Sequence, residues 1–255
     1  MPSRGPTLAR EIMVPCQATV EPRDLVTRAK SLMRSTGSRV LPVVQGGRVE
    51  GILTDREVLR VGSSKSGVLV MGLMRPAQDL LLPHDPVRMA VQRMVASELL
   101  EIPVIQSWVD RSLLGMASAT SLLSSISLSG VVEDWAEQAE VTDPDESLRV
   151  VWERMEKAGC SGMPVVRRRG GKTEVMGMIT RYDLICSGRL EEAAARVRSC
   201  MHSPALSVPS SAPIGEAVSL MLKRGISHLP VLRDGSLVGM ITKLSILRRW
   251  MAEGC

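Results

Sequence analysis

Hydrophobic and polar positions along this chain follow two periods, and each change of period marks an element. Leu25, Ala29, Leu32 and Met33 recur at helical spacing, which predicts an amphipathic helix opened by Glu21-Pro22-Arg23-Asp24. An apolar run through Leu41-Pro42-Val43 follows, then the turn-forming pair Gly46-Gly47, then a second apolar run to Thr54, which predicts two strands joined by a hairpin. The same order returns three more times. Apolar-Pro-Val recurs as Ile102-Pro103-Val104, Met163-Pro164-Val165 and Leu229-Pro230-Val231. Nine residues before each Pro stand Met33, Met94, Met155 and Met221, and twenty-nine before stand Met13, Met74, Trp135 and Met201. Beyond each Pro comes a second anchor: Gly51-x-x-Thr54, Gly115-x-x-Ser118, Gly177-x-x-Thr180 and Gly239-x-x-Thr242. With a short apolar strand ahead of the first helix, as at 18–20 and 206–208, each unit reads β-α-β-β-α, its last helix capped by that Thr or Ser.

A unit of about sixty residues buries too little surface to be stable alone, so neighbouring units are expected to pair. The units are expected at 7–62, 70–128, 130–190 and 197–252, paired as 7–128 and 130–252, with Ser63-Ser64-Lys65-Ser66-Gly67 linking the first two. The fold class is α/β. Phe is absent, and Tyr and Trp number one and four, so Leu, Val, Ile, Ala and sixteen Met must fill the core. The five cysteines, Cys16, Cys160, Cys186, Cys200 and Cys255, are odd in number and hold no C-x-x-C pair. That argues against a disulfide framework and a zinc ribbon, and for a reducing cytoplasm. No leader-like N-terminus and no run of eighteen apolar residues occurs, so the protein is expected to be neither secreted nor membrane-spanning.

These residues resemble the CBS domain family in element order, in the Gly-x-x-x-apolar-Pro-Val segment and in the closing Gly-apolar-apolar-Thr-x-x-Asp. The third copy carries both in full, as Gly159-Cys160-Ser161-Gly162-Met163-Pro164-Val165 and Gly177-Met178-Ile179-Thr180-Arg181-Tyr182-Asp183. The resemblance runs over nearly the whole chain, and its four-copy arrangement is similar to that of the regulatory gamma subunits of AMP-activated kinases and of stand-alone microbial proteins. It implies four tandem CBS repeats, paired into two Bateman modules about pseudo-two-fold axes, with two clefts in each module. In such clefts the Thr and Asp of one copy face the first strand and the pre-Pro-Val residues of the other. It further implies a non-catalytic protein that binds an adenine nucleotide or another adenosyl compound, such as S-adenosylmethionine, as a regulatory ligand rather than a cofactor. Such a protein acts on an effector protein, and a homodimer is left open.

The chemistry of Thr-x-x-Asp supports that expectation. A hydroxyl at a helix N-terminus lies beside free N–H groups suited to a phosphate, and a carboxylate one turn on can accept from both hydroxyls of a ribose. The same two residues can equally cap their own helix. The copies differ: Thr180 with Asp183, Thr54 with Glu57, Ser118 with Ser121, and Thr242 with Ser245, so two carboxylates are missing. Opposite Asp183 the resemblance places Ser227, His228 and the segment Met201-His202-Ser203-Pro204-Ala205, with Ser161 nearby. Opposite Glu57 it places Met74-Arg75-Pro76-Ala77, Leu100 and Glu101, where Glu101 would repel a phosphate unless Arg75 compensates. A further cleft would set Ser118 and Ser121 against Ser38 and Arg39. Asp183 is expected at a cleft mouth, where its loss should cost the fold little. Cys200-x-His202 is too sparse to indicate a metal site.

An enzyme is disfavoured because no G-x-S-x-G, P-loop or H-E-x-x-H occurs and the repeat uses almost every residue. The rival reading is a ligand-free interaction scaffold whose clefts have decayed. A nucleic-acid binder is disfavoured too: net charge is only +5, and aromatic residues for base stacking are scarce.

Overall fold

The computed structural model describes residues 7–62 and 67–253; positions 63–66 of the expected linker, and Cys255, lie outside them. In chain order the elements are β1 (Met13–Val14), α1 (Val26–Thr36), β2 (Val40–Gln45), β3 (Arg48–Thr54), α2 (Asp55–Leu59), β4 (Arg75–Pro76), α3 (Val87–Ser97), β5 (Glu101–Ile105), β6 (Leu113–Ser118) and α4 (Ala119–Ser125). There follow α5 (Val132–Trp135), α6 (Leu148–Ala158), β7 (Gly162–Arg169), β8 (Lys172–Thr180), α7 (Arg181–Ser187), β9 (Val208–Pro209), α8 (Ile214–Arg224), β10 (His228–Arg233), β11 (Ser236–Thr242) and α9 (Lys243–Ala252). The chain divides into two compact units, the second being Ser127–Ile246 and the first the residues up to Ile126 together with those from Leu247 onward.

In the first unit β2 and β3 form an antiparallel hairpin, and β4 adds to β3 with Arg75 opposite Ile52. β5 and β6 form the second hairpin, and β1 adds to β6 with Val14 opposite Met116. Each copy therefore places its leading strand on the hairpin of the other. The second unit repeats the exchange within itself: His202 bridges to Met178 of β8, and Glu137 to Met240 of β11. The β-α-β-β-α order holds, with one addition: two short pieces precede each first helix. One crosses over; the other returns to its own hairpin, as Val20 beside Val43, Leu81 beside Val104, Thr142 beside Val165 and Val208 beside Val231.

The repeated residues now have physical reasons. Pro has no N–H, but its carbonyl is free to accept from the returning piece, as Pro42 does from Val20 N at 3.1 Å and Pro164 from Thr142 N at 3.0 Å. A bulge follows each Pro-Val pair and bends the hairpin. The glycine of each Gly-x-x-Thr is the crossing point of the exchanged piece. A Cβ on Gly115 would stand 2.7 Å from the Val14 carbonyl oxygen, on Gly177 2.5 Å from that of His202 and on Gly239 2.9 Å from that of Glu137, while one on Gly51 would overlap that of Arg75. The methionines nine residues before Pro lie on the inner faces of α1, α3, α6 and α8, and all four are fully buried. Burial of such a side chain contributes about 1.5–3 kcal/mol. No helix among the described residues is long and apolar enough to cross a membrane.

Candidate functional site

The site is built at the start of α7, where β8 ends. Thr180 is in extended conformation and caps the helix: its Oγ1 accepts from Asp183 N at 3.3 Å. Asp183 returns the favour, with Oδ2 accepting from Thr180 N and from Thr180 Oγ1, both at 2.7 Å. The other oxygen, Oδ1, faces the exchanged strand and lies 2.9 Å from His202 Nε2. Asp183 is only 5% exposed. This corrects the expectation of a carboxylate free at a cleft mouth: Asp183 caps its helix, and it also presents one oxygen to the neighbouring copy.

The pre-Pro-Val segments meet next to it. Ser161 accepts through its carbonyl from Arg181 N at 3.0 Å, which ties it to the first turn of α7. Its Oγ lies 3.0 Å from Nε2 of the buried His228. Thr180, Asp183 and His202 form one side-chain group and Ser161 with His228 a second, and the Ser161 carbonyl ties the second to the first turn of α7. Cys200 stands close by; burial pushes its thiol up to about 11, the negative charge of Asp183 adds to the rise, and Arg189 opposes it. Met201 packs its sulfur against Gly177, 3.1 Å from where a Cβ would sit. Ser227 is not joined to this group: its carbonyl accepts from Lys243 N at the start of α9. Ala205 is half-buried and brings no polar group.

The equivalent place in the first unit has the same design with different residues. Thr54 caps α2, and Glu57 Oε2 accepts from Thr54 N at 3.1 Å and from Thr54 Oγ1. Glu57 Oε1 accepts from Arg75 Nε at 2.8 Å. Arg75 therefore neutralises Glu57, and its Nη1 also reaches Ser97 O at 3.5 Å. In the two copies without an acid, hydroxyls do only the capping. Ser118 Oγ accepts from Ser121 N at 3.4 Å, and Thr242 Oγ1 accepts from Ser245 N at 2.9 Å. The expected meeting of Arg39 with Ser118 and Ser121 is not made by any hydrogen bond; Arg39 offers its carbonyl to Asp55 N. No cluster of three or more His, Cys, Asp or Glu that could hold a metal occurs among the described residues.

A model of the CBS domain family matches residues 9–64, 136–187 and 197–252. The chain belongs to the CBS domain family. Among solved structures, protein MJ1225 of Methanocaldococcus jannaschii superposes with a TM-score of 0.81 at 20% identity, over 94% of this chain and 98% of that one. A conserved protein of Pyrococcus horikoshii superposes with a TM-score of 0.64 at 18% identity, over 95% and 99%. At these identities the likeness is one of fold, and it extends over nearly the whole chain. Among sequence relatives, MK0525 of Methanopyrus kandleri is 30% identical over 110 residues, which are 41% of this chain and 54% of that protein. The inosine-5'-monophosphate dehydrogenase of Halobacterium salinarum is 27% identical over 199 residues, 69% of this chain and 38% of that enzyme. The chain thus spans about half or less of these two relatives.

Proposed function

We propose that this CBS protein is a non-catalytic regulator that binds an adenosine-containing ligand, AMP, ADP, ATP or S-adenosylmethionine, in the cleft at Asp183. The observation that carries this reading is the placement of the Asp183 carboxylate. One oxygen is fixed by the Thr180 cap, and the other lies 2.9 Å from His202 of the exchanged strand. A carboxylate so held is pre-organised to accept from ribose hydroxyls, and hydrogen bonds to a charged group contribute about 1.5–3 kcal/mol each. The His202 and His228 imidazoles supply donors for a phosphate. The four repeats at 7–62, 70–128, 130–190 and 197–252, an effector protein that reads the bound state, and self-association belong to the same proposal.

A scaffold role is favoured only for the first unit, because Arg75 already neutralises Glu57 there. Calorimetric titration of the full chain with AMP is therefore expected to show a single site per chain. Two equal sites would remove the distinction drawn between Glu57 and Asp183, and no binding of any adenosine compound would favour the scaffold throughout.

A further inference from the structure

We propose that the basic residue on two of the exchanged strands is a latch on the acid of the facing cleft, and that the choice of His202 or Arg75 decides which cleft a nucleoside can open. This rests on the adenosine-binding reading above and adds to it a means of selection between clefts. The four copies supply an internal comparison. The residue after each crossing glycine pairs with Arg75, His202, Val14 or Glu137 of the exchanged strand. Five residues further along the chain stand Glu57, Asp183, Ser121 and Ser245 respectively. His202 and Arg75 contact the two acids, whereas Val14 and Glu137 hold the same register position in the copies that carry Ser121 and Ser245. Strand exchange itself does not require a base, since β1 pairs through Val14.

The acceptor count shows why a latch matters. An ionised carboxylate offers about four acceptor positions. Thr180 N–H and Oγ1–H take two on Asp183 Oδ2, and His202 Nε2 stands at one on Oδ1, so one is open to a ligand. A vicinal diol needs two. Its second hydroxyl must take the place of the imidazole, so His202 has to leave for a nucleoside to be gripped fully. The His202 side chain is 76% exposed and can swing into water at little cost. Arg75 is 27% exposed, shares its guanidinium with Ser97 O, and stays charged, so the Glu57 cleft remains shut.

The test uses the full chain, with adenosine and AMP as probes titrated calorimetrically into the wild type and His202→Ala. Adenosine carries the diol without a phosphate, so releasing the latch should tighten it about two- to fivefold, the size of a contact with one solvent-exposed partner. AMP should gain less, because the imidazole that the phosphate could use is gone. His202→Gln keeps a neutral donor and should fall between the two. Adenosine affinity that is unchanged or weaker in His202→Ala, at a preserved melting temperature, overturns the latch while leaving the adenosine site standing. If neither probe binds the wild type or the variant, the site itself is wrong and the latch falls with it.

Discussion

Gly177→Ala is expected to lower stability by about 1–3 kcal/mol and to abolish high-affinity nucleotide binding. The added methyl would stand 2.5 Å from the His202 carbonyl oxygen, and backbone cannot turn aside as the end of a flexible side chain can. The exchanged strand would have to withdraw from β8, breaking the reciprocal Met178 and His202 hydrogen bonds of 2.9 and 2.8 Å and displacing the strand that lines the proposed cleft. For a chain of this length each kcal/mol lowers the melting temperature by about 2–4 °C. Gly215 provides the control. It is the second residue of α8 and nothing lies within 4 Å of the site of a Cβ, so Gly215→Ala should be neutral or stabilising by up to about 1 kcal/mol. Equal melting temperatures for Gly177→Ala and the wild type would show that the strand exchange is not as tight as drawn.

Asp183→Asn is expected to weaken AMP binding at least about tenfold while leaving the ligand-free melting temperature near that of the wild type. An amide oxygen still accepts from Thr180 N, so most of the cap survives, but the charge that strengthens bonds to ribose hydroxyls is lost. Asp183→Ala removes both, so it should match the loss of affinity and also melt lower by about 2–4 °C for about 1 kcal/mol of capping. The two variants separate ligand holding from helix capping. A drop in melting temperature for Asp183→Ala, with affinity intact in both, would reduce Asp183 to a capping residue.

Much of the fold was legible in the sequence because four copies repeat the same physical demands. Met33, Met94, Met155 and Met221 are fully buried where helical periodicity put them, and the Thr or Ser of each second anchor starts a helix. The strand exchange was not legible, since the crossing pieces are one or two residues long and too short to show alternation. The two acid–base contacts did leave a trace. Arg75 and His202 stand twenty-eight residues before Pro103 and Pro230, each in the copy that follows an acid-bearing one. The burial of Asp183 left none, because an acid on the first turn of a helix is usually solvated, whereas here His202 of the exchanged strand lies 2.9 Å from it.

The most direct test of the adenosine site at Asp183 is a calorimetric comparison of AMP with 2′-deoxy-AMP on the unmodified full chain. Removing the 2′-hydroxyl deletes one charge-assisted hydrogen bond to Asp183 and touches neither base nor phosphate. The expected result is binding of AMP and a loss of at least about tenfold for the deoxy compound. Equal affinities would contradict the ribose-holding role of Asp183.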